Sequence, residues 1–297
     1  MAIGGNAARI IKTLFAETTF GSLWYSGAIT STMRWLESLA VGVYVFDLTN
    51  SPIMVAVFLF LRWAPLVLFG AWVGVIADRI SRKAILFGGL VTMFVVSLGL
   101  GFLTVLGLVE LWHIGIGAFI SGVFTSTDYS TRRAMIGEAA GLDRVGVAMA
   151  FDTGTTNGTR MLGPAIGGFM LQFFGLHGAY LLGAFLFATA ILLIWHMPYR
   201  QTQTDGAAPK VLRNLVEGLR YARSEPMVLG VLMITIIVNA FGFPFGNILP
   251  IIGRDTLGLS AFPVGVLAAS EGLGALLGAI GVGMAVRPSR YGKFFIC

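Results

Sequence analysis

Charged side chains are scarce in this sequence. Asp, Glu, Lys and Arg make up 11% of its 297 residues, whereas hydrophobic residues make up 56%. A water-soluble domain has roughly a quarter of its residues charged, because they must cover its surface. Cysteine is nearly absent too, since Cys297 is the only one, which excludes an internal disulfide and a cysteine-based metal cluster. The shortage of charge predicts a protein that is embedded in a membrane.

Sequence patterns of common enzyme sites are also missing. The chain has no GxxxxGK[ST] phosphate-binding loop, no HExxH, no GxSxG and no dinucleotide-binding glycine pattern. Its three histidines, His113, His177 and His196, lie near the ends of apolar stretches rather than in one cluster. We therefore predict that the protein is not an enzyme and that it holds neither a cofactor nor a metal ion.

Long apolar runs, by contrast, are abundant. A membrane-spanning helix needs about 20 mostly apolar residues, and runs of that length recur between short polar turns. Lipid offers no partners to free backbone groups, and no barrel-like alternation is present, so these runs should be helices. The predicted fold class is therefore an all-α integral membrane protein. The eight predicted spans cover residues 21–46, 53–77, 84–107, 112–134, 147–174, 178–197, 226–251 and 262–286.

Positive charge is distributed unevenly between the predicted loops. The net charge is +6, but the Lys and Arg residues do not gather on one face, so we expect no nucleic acid as a partner. Sixteen of the 20 lie in the loops of one side, whereas Arg254 is alone on the other. Cytoplasmic loops carry such an excess. We expect a multi-pass protein of the cytoplasmic (inner) membrane with both termini in the cytoplasm.

The longest loop divides the chain into two parts. Residues 1–198 carry six spans, residues 199–225 form a cytoplasmic linker, and residues 226–297 carry two spans. Within the linker, residues 211–225 have apolar side chains at helical spacing opposite arginines, which predicts an amphipathic helix on the inner leaflet. A plain basic linker is the alternative.

Two motifs carry a resemblance to a known family. The end of the second span, GVIADRISRKAIL, resembles the loop between helices two and three of the major facilitator superfamily, with Ser81 in place of the usual glycine. The matching motif positions are Gly74, Asp78, Arg79, Arg82 and Lys83. Span five contains GPAIGG, which resembles the export-associated signature of that superfamily at Gly163, Pro164, Gly167 and Gly168. VYVFDLTNSP and VEGLRYARSEP are similar to phrases of the branch with enterobactin exporters and macrolide efflux proteins.

The resemblance implies two six-helix halves around a central cavity that opens to each side in turn. The first half would be complete, whereas only two helices of the second half are expected before the chain stops after its eighth span. In the family, the aspartate that matches Asp78 acts against a helix of the second half to hold one state closed. That helix is expected to be missing here, or to come from a second copy.

Ionisable residues inside the spans are the candidate functional residues. Such residues are costly in hydrocarbon, so they usually face a partner or a wet cavity. At 100° per residue, they share faces with small and hydroxyl-bearing residues in several spans. We interpret these faces as a substrate and proton pathway; buried hydrogen bonding between helices is the alternative. The candidates are Arg34, Glu37, Arg62, Asp128, Arg132, Asp152, Arg160, Asn239 and Glu271.

Depth in the membrane predicts one specific contact. Glu37 lies nine residues before Phe46, and Arg62 lies nine residues after Ile53, so both reach a similar level across the turn between spans one and two. We predict that Glu37 and Arg62 form an ion pair. The alternative pairs Glu37 with Arg34 on the same helix at i,i+3 spacing.

Glu271 is the only charged residue of the eighth span. Burial disfavours the charged form of a carboxyl group, which would suit a proton carrier. The alternative is a structural role, either in a hydrogen bond to span seven or exposed on an incomplete bundle.

Glycines four residues apart recur in the spans and predict close helix packing rather than ligand contact. The two pairs of span five lie on opposite faces, so that helix should pack tightly on both sides, with a bend at Pro164. The pairs are Gly70 and Gly74, Gly154 and Gly158, Gly163 and Gly167, Gly242 and Gly246, and Gly274 and Gly278.

Together these features predict an efflux-type secondary active transporter. It would export a small, partly hydrophobic compound of drug or siderophore type by proton antiport and alternating access. Its partners would be the small-molecule substrate, protons and the lipid bilayer. The alternative is a truncated, transport-incompetent membrane protein, or a half that must assemble with another chain. Fold alone does not identify the substrate, although Arg34, Arg62 and Arg160 within the spans hint at an anionic one.

Overall fold

The computed structural model describes residues 2–77, 80–199, 211–238 and 248–285. Within these ranges the chain forms helices and no strand, which confirms the all-α fold class. The first six helices are α1 (Ala2–Ala16), α2 (Thr18–Thr49), α3 (Pro52–Ala77), α4 (Arg82–Val105), α5 (Leu111–Ala140) and α6 (Val145–His196). They are followed by α7 (Val211–Ser224), α8 (Pro226–Ile237), a π-helical turn (Ile252–Thr256) and α9 (Ala261–Ala285).

Three of the described helices are long and apolar enough to cross a membrane by length and composition: Arg82–Val105, Val145–His196 and Ala261–Gly278. Shorter apolar segments cover Pro52–Leu66 and Pro226–Ile237. The helix predicted in the linker is present as α7, whereas its place on a membrane surface remains a prediction. Several predicted features lie outside the described residues, namely Asp78, Arg79, Asn239, Gly242, Gly246, residues 200–210 and residues 286–297.

The helix α6 contains two of the predicted spans. It has 52 residues, about twice the number that a bilayer requires. Its helical geometry breaks at Gly175, where φ is 65° and ψ is −175°, a conformation that only glycine adopts readily. The break falls between the predicted spans 147–174 and 178–197. Non-helical dihedral angles within α6 occur at Gly175 and not at Pro164, where we expected the bend.

Side-chain hydrogen bonds define several helix ends. Ser81 Oγ accepts from the backbone N–H of Ala84 at 3.2 Å and caps the start of α4. Glu110 and His113 form a reciprocal capping box at the start of α5, which gives His113 a structural role. At the other end of α2, Asn50 has a left-handed conformation, and Pro52 begins α3 two residues later.

The centre of the packing is α6. Its most extensive contacts are with α2 and α9, followed by α4, while α5 packs on α3 and α4. The main hydrophobic core contains fully buried side chains of α2, α4, α5 and α6, among them Leu36, Leu90, Met135 and Ile194. No residue of α8 is buried.

The sequence did not predict α1, which is too short to span a membrane. Leu14 of this helix is fully buried. Phe15 packs edge-to-face against Phe20 and Trp24 of α2 and against Phe151 of α6. These aromatic contacts hold α1 against the bundle.

Candidate functional site

The most deeply buried charges lie between α5 and α6. Arg132 Nη1 donates to Asp152 Oδ1 at 2.7 Å, and Arg132 Nε donates to Asp128 Oδ2 at 3.4 Å. These three residues are only 1–3% exposed. Arg133 lies at the edge, with Nε 3.5 Å from Asp152 Oδ2 and a side chain that is 33% exposed. We call these four residues the Arg132 cluster.

The helix α2 closes over the Arg132 cluster. Thr30 Oγ1 donates to Asp128 Oδ2 at 3.4 Å, and a Cβ atom at Gly27 would lie 2.2 Å from Arg132 Nη1. The structure buries Arg132 between two carboxylates, which its place near the end of a predicted span did not indicate. Around the Arg132 cluster, the polar faces of α2, α5 and α6 form hydrogen bonds and ion pairs with one another, as the alternative interpretation expected.

The predicted ion pair of Glu37 and Arg62 is confirmed. Arg62 Nη1 donates to Glu37 Oε2 at 3.2 Å, and both residues are 7% exposed. Ser121 Oγ donates to the same oxygen at 3.0 Å, so helices α2, α3 and α5 share this site. Arg62 Nη2 also donates to the backbone oxygen of Arg34 at 3.0 Å. Among the described residues, Arg34 forms no ion pair with Glu37, in contrast to the alternative.

A second ion pair joins α6 to α9. Arg160 Nη2 donates to Glu271 Oε1, and the Arg160 guanidinium lies 5.2 Å from the centroid of the Trp35 ring. The two side chains are 24% and 37% exposed. Glu271 is the only charge of its own helix, but its partner is on α6 rather than on the predicted seventh span. Sequence patterns predicted both residues as candidates but did not predict that they form a pair.

The Arg160–Glu271 pair faces a cleft between α2, α3, α6 and α9. The cleft encloses about 560 Å³ of empty space, including its mouth. Most of its walls are apolar, which suits a small ligand with a large apolar part and few polar groups. The lining residues are Trp35, Ser38, Leu39, Gly42, Val55, Leu59, Arg160, Pro164, Pro250, Ala268 and Glu271.

A third ion pair lies at the end of the bundle where positive charge is scarce. Arg254 Nε donates to Asp47 Oδ1 at 2.6 Å, which connects the turn before α9 to the end of α2. Gln172 Oε1 accepts from the backbone N–H of Phe262 at 2.9 Å and connects α6 to the start of α9. Sequence reasoning missed both contacts, because they join residues far apart in the chain and neither follows from periodicity.

Two cations of the loop motif bind neighbouring helices together. Arg82 Nη1 donates to Glu138 Oε1 of α5. Lys83 Nζ donates to the backbone oxygens of Trp195 and Met197 at 3.0 and 2.7 Å, where α6 ends. Such contacts satisfy carbonyl groups that a helix end leaves without partners. Gly74 lies in α3, and the gating role of the motif remains a prediction.

Tyr199 completes the contact around Glu138. Its Oη donates to Glu138 Oε2. Partial burial, together with the hydrogen bond and the negative charge of Glu138, raises the pKa of Tyr199 from 10.0 to about 12. A raised pKa means that the phenol form is favoured in the folded protein. The contact therefore contributes its full stability below pH 10 and loses it as the pH rises through 12.

We expect Tyr199→Phe to lower the free energy of unfolding slightly. A hydrogen bond contributes about 0.5–1.5 kcal/mol, and solvent access places this one at the lower end. The difference from the wild type should be present at about pH 9 and should vanish between about pH 10 and 12. Thermal unfolding in detergent measures it, with the exposed Tyr221→Phe as the control. A stability difference between Tyr199→Phe and the wild type that persists at about pH 12 would contradict the role of the Tyr199–Glu138 hydrogen bond.

The signature residues of span five lie where α6 touches two helices. A Cβ atom at Gly163 would lie 2.5 Å from Trp35 Cβ, and one at Gly167 would lie 2.6 Å from the Leu36 backbone oxygen, so this face packs on α2. On the opposite side, a Cβ atom at Gly168 would lie 2.4 Å from the Ala261 backbone oxygen of α9. The predicted packing role of Gly163 and Gly167 is confirmed, whereas that of Gly168 was not predicted.

Other glycine predictions were wrong. Added Cβ atoms at Gly154, Gly158, Gly274 and Gly278 would meet nothing within 4 Å. Helix α6 does pack closely on two sides, but Gly168 rather than the Gly154 pair provides the second side. On α9 the close contacts are made by Gly265 and Gly272, where added Cβ atoms would lie 2.5 Å from the Pro164 backbone oxygen and 2.6 Å from the Met161 nitrogen. These two are seven residues apart, so a search for spacing of four misses them.

The described residues contain no group of three or more His, Cys, Asp and Glu side chains that could hold a metal ion. Their ionic groups are paired with one another between apolar helices instead. A bundle of apolar helices with charge pairs in its interior is the arrangement of a multi-pass α-helical membrane protein.

The chain belongs to the transmembrane secretion effector family of the major facilitator superfamily, whose sequence profile matches residues 13–287. Relatives in this superfamily carry the names of transporters, not of enzymes. The uncharacterized MFS-type transporter YfiS of Bacillus subtilis (strain 168) is 25% identical over 225 residues, which cover 73% of this chain and 52% of YfiS.

Two further relatives have named substrates. The staphyloferrin A transporter of Staphylococcus aureus is 21% identical over 222 residues, which cover 74% of this chain and 55% of that protein. Macrolide efflux protein A of Streptococcus pyogenes is 19% identical over 270 residues, which cover 89% of this chain and 66% of that protein. The chain thus spans about half the length of YfiS and of the staphyloferrin A transporter.

A solved structure shows the same fold. The crystal structure of a D-xylose-proton symporter matches 93% of this chain and 69% of its own chain, with a TM-score of 0.52 and 16% sequence identity. The predicted helix bundle of the major facilitator type is confirmed.

Proposed function

We propose that the protein works in the export of a small, partly hydrophobic compound across the cytoplasmic membrane, by alternating access. The observation that carries this proposal is the Arg160–Glu271 pair, which bridges α6 and α9 at the edge of an apolar cleft. Relatives named for macrolide efflux and for multidrug efflux support an exported substrate of this kind. The asymmetry of Lys and Arg supports termini in the cytoplasm.

Proton antiport follows from the chemistry of this pair. Protonation of Glu271 removes the negative charge that holds the Arg160 guanidinium. Loss of that proton restores the ion pair. Because the pair joins helices of the two predicted halves, its two protonation states would favour different arrangements of α6 against α9. Transport requires two such states with different affinities for proton and substrate.

Glu271→Gln should abolish proton-coupled export, because the amide cannot exchange a proton. The measurement is erythromycin efflux from cells of a macrolide-sensitive host that express the chain, followed at several external pH values and after addition of a protonophore. Glu225→Gln, which removes an exposed carboxylate at the start of α8, is the matched control and should export as the wild type does. Unchanged pH dependence in the Glu271 variant would refute the coupling role.

A second candidate is a membrane protein that does not transport by itself and assembles with another copy. The exposed apolar side chains of α8, such as Met227, Ile236 and Ile237, favour this possibility. Light scattering of the detergent-purified chain distinguishes the two. A dimer that is required for efflux supports assembly, whereas a monomer without efflux indicates a transport-incompetent chain.

A further inference from the structure

Arg34 is half-buried and differs from three other arginines within the helices. Arg62, Arg132 and Arg160 each bind a carboxylate. In the described part of the chain, no carboxylate forms an ion pair with Arg34, and its buried Nε has no hydrogen-bond partner. A buried guanidinium N–H without an acceptor is costly, so such a position is usually completed by a ligand or used in function.

Arg34 lines a cavity between α2, α3 and α5 that encloses about 250 Å³ of empty space, including its mouth. Arg62 lines the same cavity, together with the apolar surfaces of Trp63 and Leu66 and the hydroxyl-bearing Thr125. The lining of this cavity thus contains two guanidinium groups and no carboxylate. We call it the Arg34 cavity.

The charges around Arg34 make the cavity attractive to an anion. Asp128 is the carboxylate that acts on Arg34, but its Oδ2 already accepts from Arg132 Nε and from Thr30 Oγ1. Arg132 and Arg62 both add positive potential at Arg34. A guanidinium offers two parallel N–H groups to a carboxylate, which is the anion that matches its geometry.

The Arg34 cavity lies near the cleft of the Arg160–Glu271 pair, because both share lining residues with a third cavity. Arg62 also lines a neighbouring cavity of about 240 Å³. Four residues of that neighbouring cavity, Ser38, Gly42, Val55 and Leu59, also line the cleft. A ligand longer than a single anionic group could therefore extend from Arg34 along α2 into the apolar cleft.

We propose that Arg34 binds the carboxylate of the exported compound, whose apolar part lies against Trp63 and Leu66. The proposal rests on the export function and names its substrate class as amphipathic carboxylates. Arg62 and Arg160 form ion pairs with Glu37 and Glu271, whereas Arg34 is the one of these three that forms no ion pair among the described residues.

Equilibrium dialysis tests this without any transport step. The full chain in a non-ionic detergent is dialysed against 1-naphthoate, 1-naphthamide or 1-naphthylmethylammonium, which share one apolar ring system and differ in charge. The detergent alone gives the background for each probe. We expect naphthoate to bind about tenfold more tightly than the amide or the cation, since a charge-assisted hydrogen bond contributes at least this factor.

Arg34→Gln should remove about tenfold or more of the naphthoate affinity and leave amide binding unchanged. Arg34→Lys should retain part of the affinity, because it keeps the charge without the paired N–H groups. Arg220→Gln, on an exposed part of α7, is the control, and thermal unfolding confirms that each variant is folded.

Equal binding of naphthoate and naphthamide, or full naphthoate affinity in folded Arg34→Gln, would overturn the proposal. Failure of efflux alone would instead refute the export function, because dialysis does not depend on it.

Discussion

Arg132→Gln should destabilise the folded protein by about 3–5 kcal/mol, because it leaves the carboxylates of Asp128 and Asp152 buried without their shared cation. Arg132 is 1% exposed, and Gly27 of α2 packs directly against it. Water therefore has little access to replace the lost hydrogen bonds. Thermal unfolding of the chain in detergent, with the folded yield after purification, measures this loss.

Arg133→Gln provides the control on the same helix, since its guanidinium lies at the edge of the Arg132 cluster and is partly solvated. It should cost no more than about 1 kcal/mol. Adding Asp152→Asn to Arg132→Gln should restore part of the stability, because one of the two carboxylates that lost a hydrogen bond to Arg132 is then neutral. Equal losses in Arg132→Gln and Arg133→Gln would show that burial does not set the energetics of this cluster.

Gly168→Val should separate α6 from α9. Its Cβ atom would lie 2.4 Å from the Ala261 backbone oxygen and 3.0 Å from Gly265 Cα, and backbone atoms cannot rotate aside as a side chain can. Overpacking of this kind costs about 1–3 kcal/mol. We expect a lower unfolding temperature together with a loss of the Arg160–Glu271 contact.

Gly154→Val tests whether a β-branched residue in α6 is itself responsible. Gly154 lies on the same helix, and an added Cβ atom there would meet nothing within 4 Å. Its effect should be limited to helix propensity, which is a fraction of a kcal/mol. If Gly154→Val destabilises the protein as much as Gly168→Val does, the close crossing of α6 and α9 is not the cause.

Local pattern predicted the parts of this fold that depend on one segment at a time. Apolar length predicted the helices, and Gly175 fell in the expected gap between two spans. The Glu37–Arg62 pair was also predictable, because a short turn joins α2 to α3 and fixes the relative depth of the two residues.

Contacts that depend on how distant helices cross were not predictable. The sequence named Arg160 and Glu271, but 111 residues separate them, and only the crossing of α6 and α9 brings them together. The same holds for Gly265, whose role depends on Gly168 of another helix. The deep burial of Arg132 was not predictable for a related reason, since the sequence gives no sign that α2 covers it.

The contact between α6 and α9 runs antiparallel, with Gln172 opposite Phe262 at one end and Arg160 opposite Glu271 at the other. Gly168 and Gly265 meet between these ends with backbone against backbone. This crossing would be the pivot if α9 tilts against α6, because the two backbones are already in contact there. Neutralising Glu271 would break the Arg160–Glu271 ion pair and leave the hydrogen bond between Gln172 and Phe262 intact. The two helices should therefore separate at the Arg160 end only.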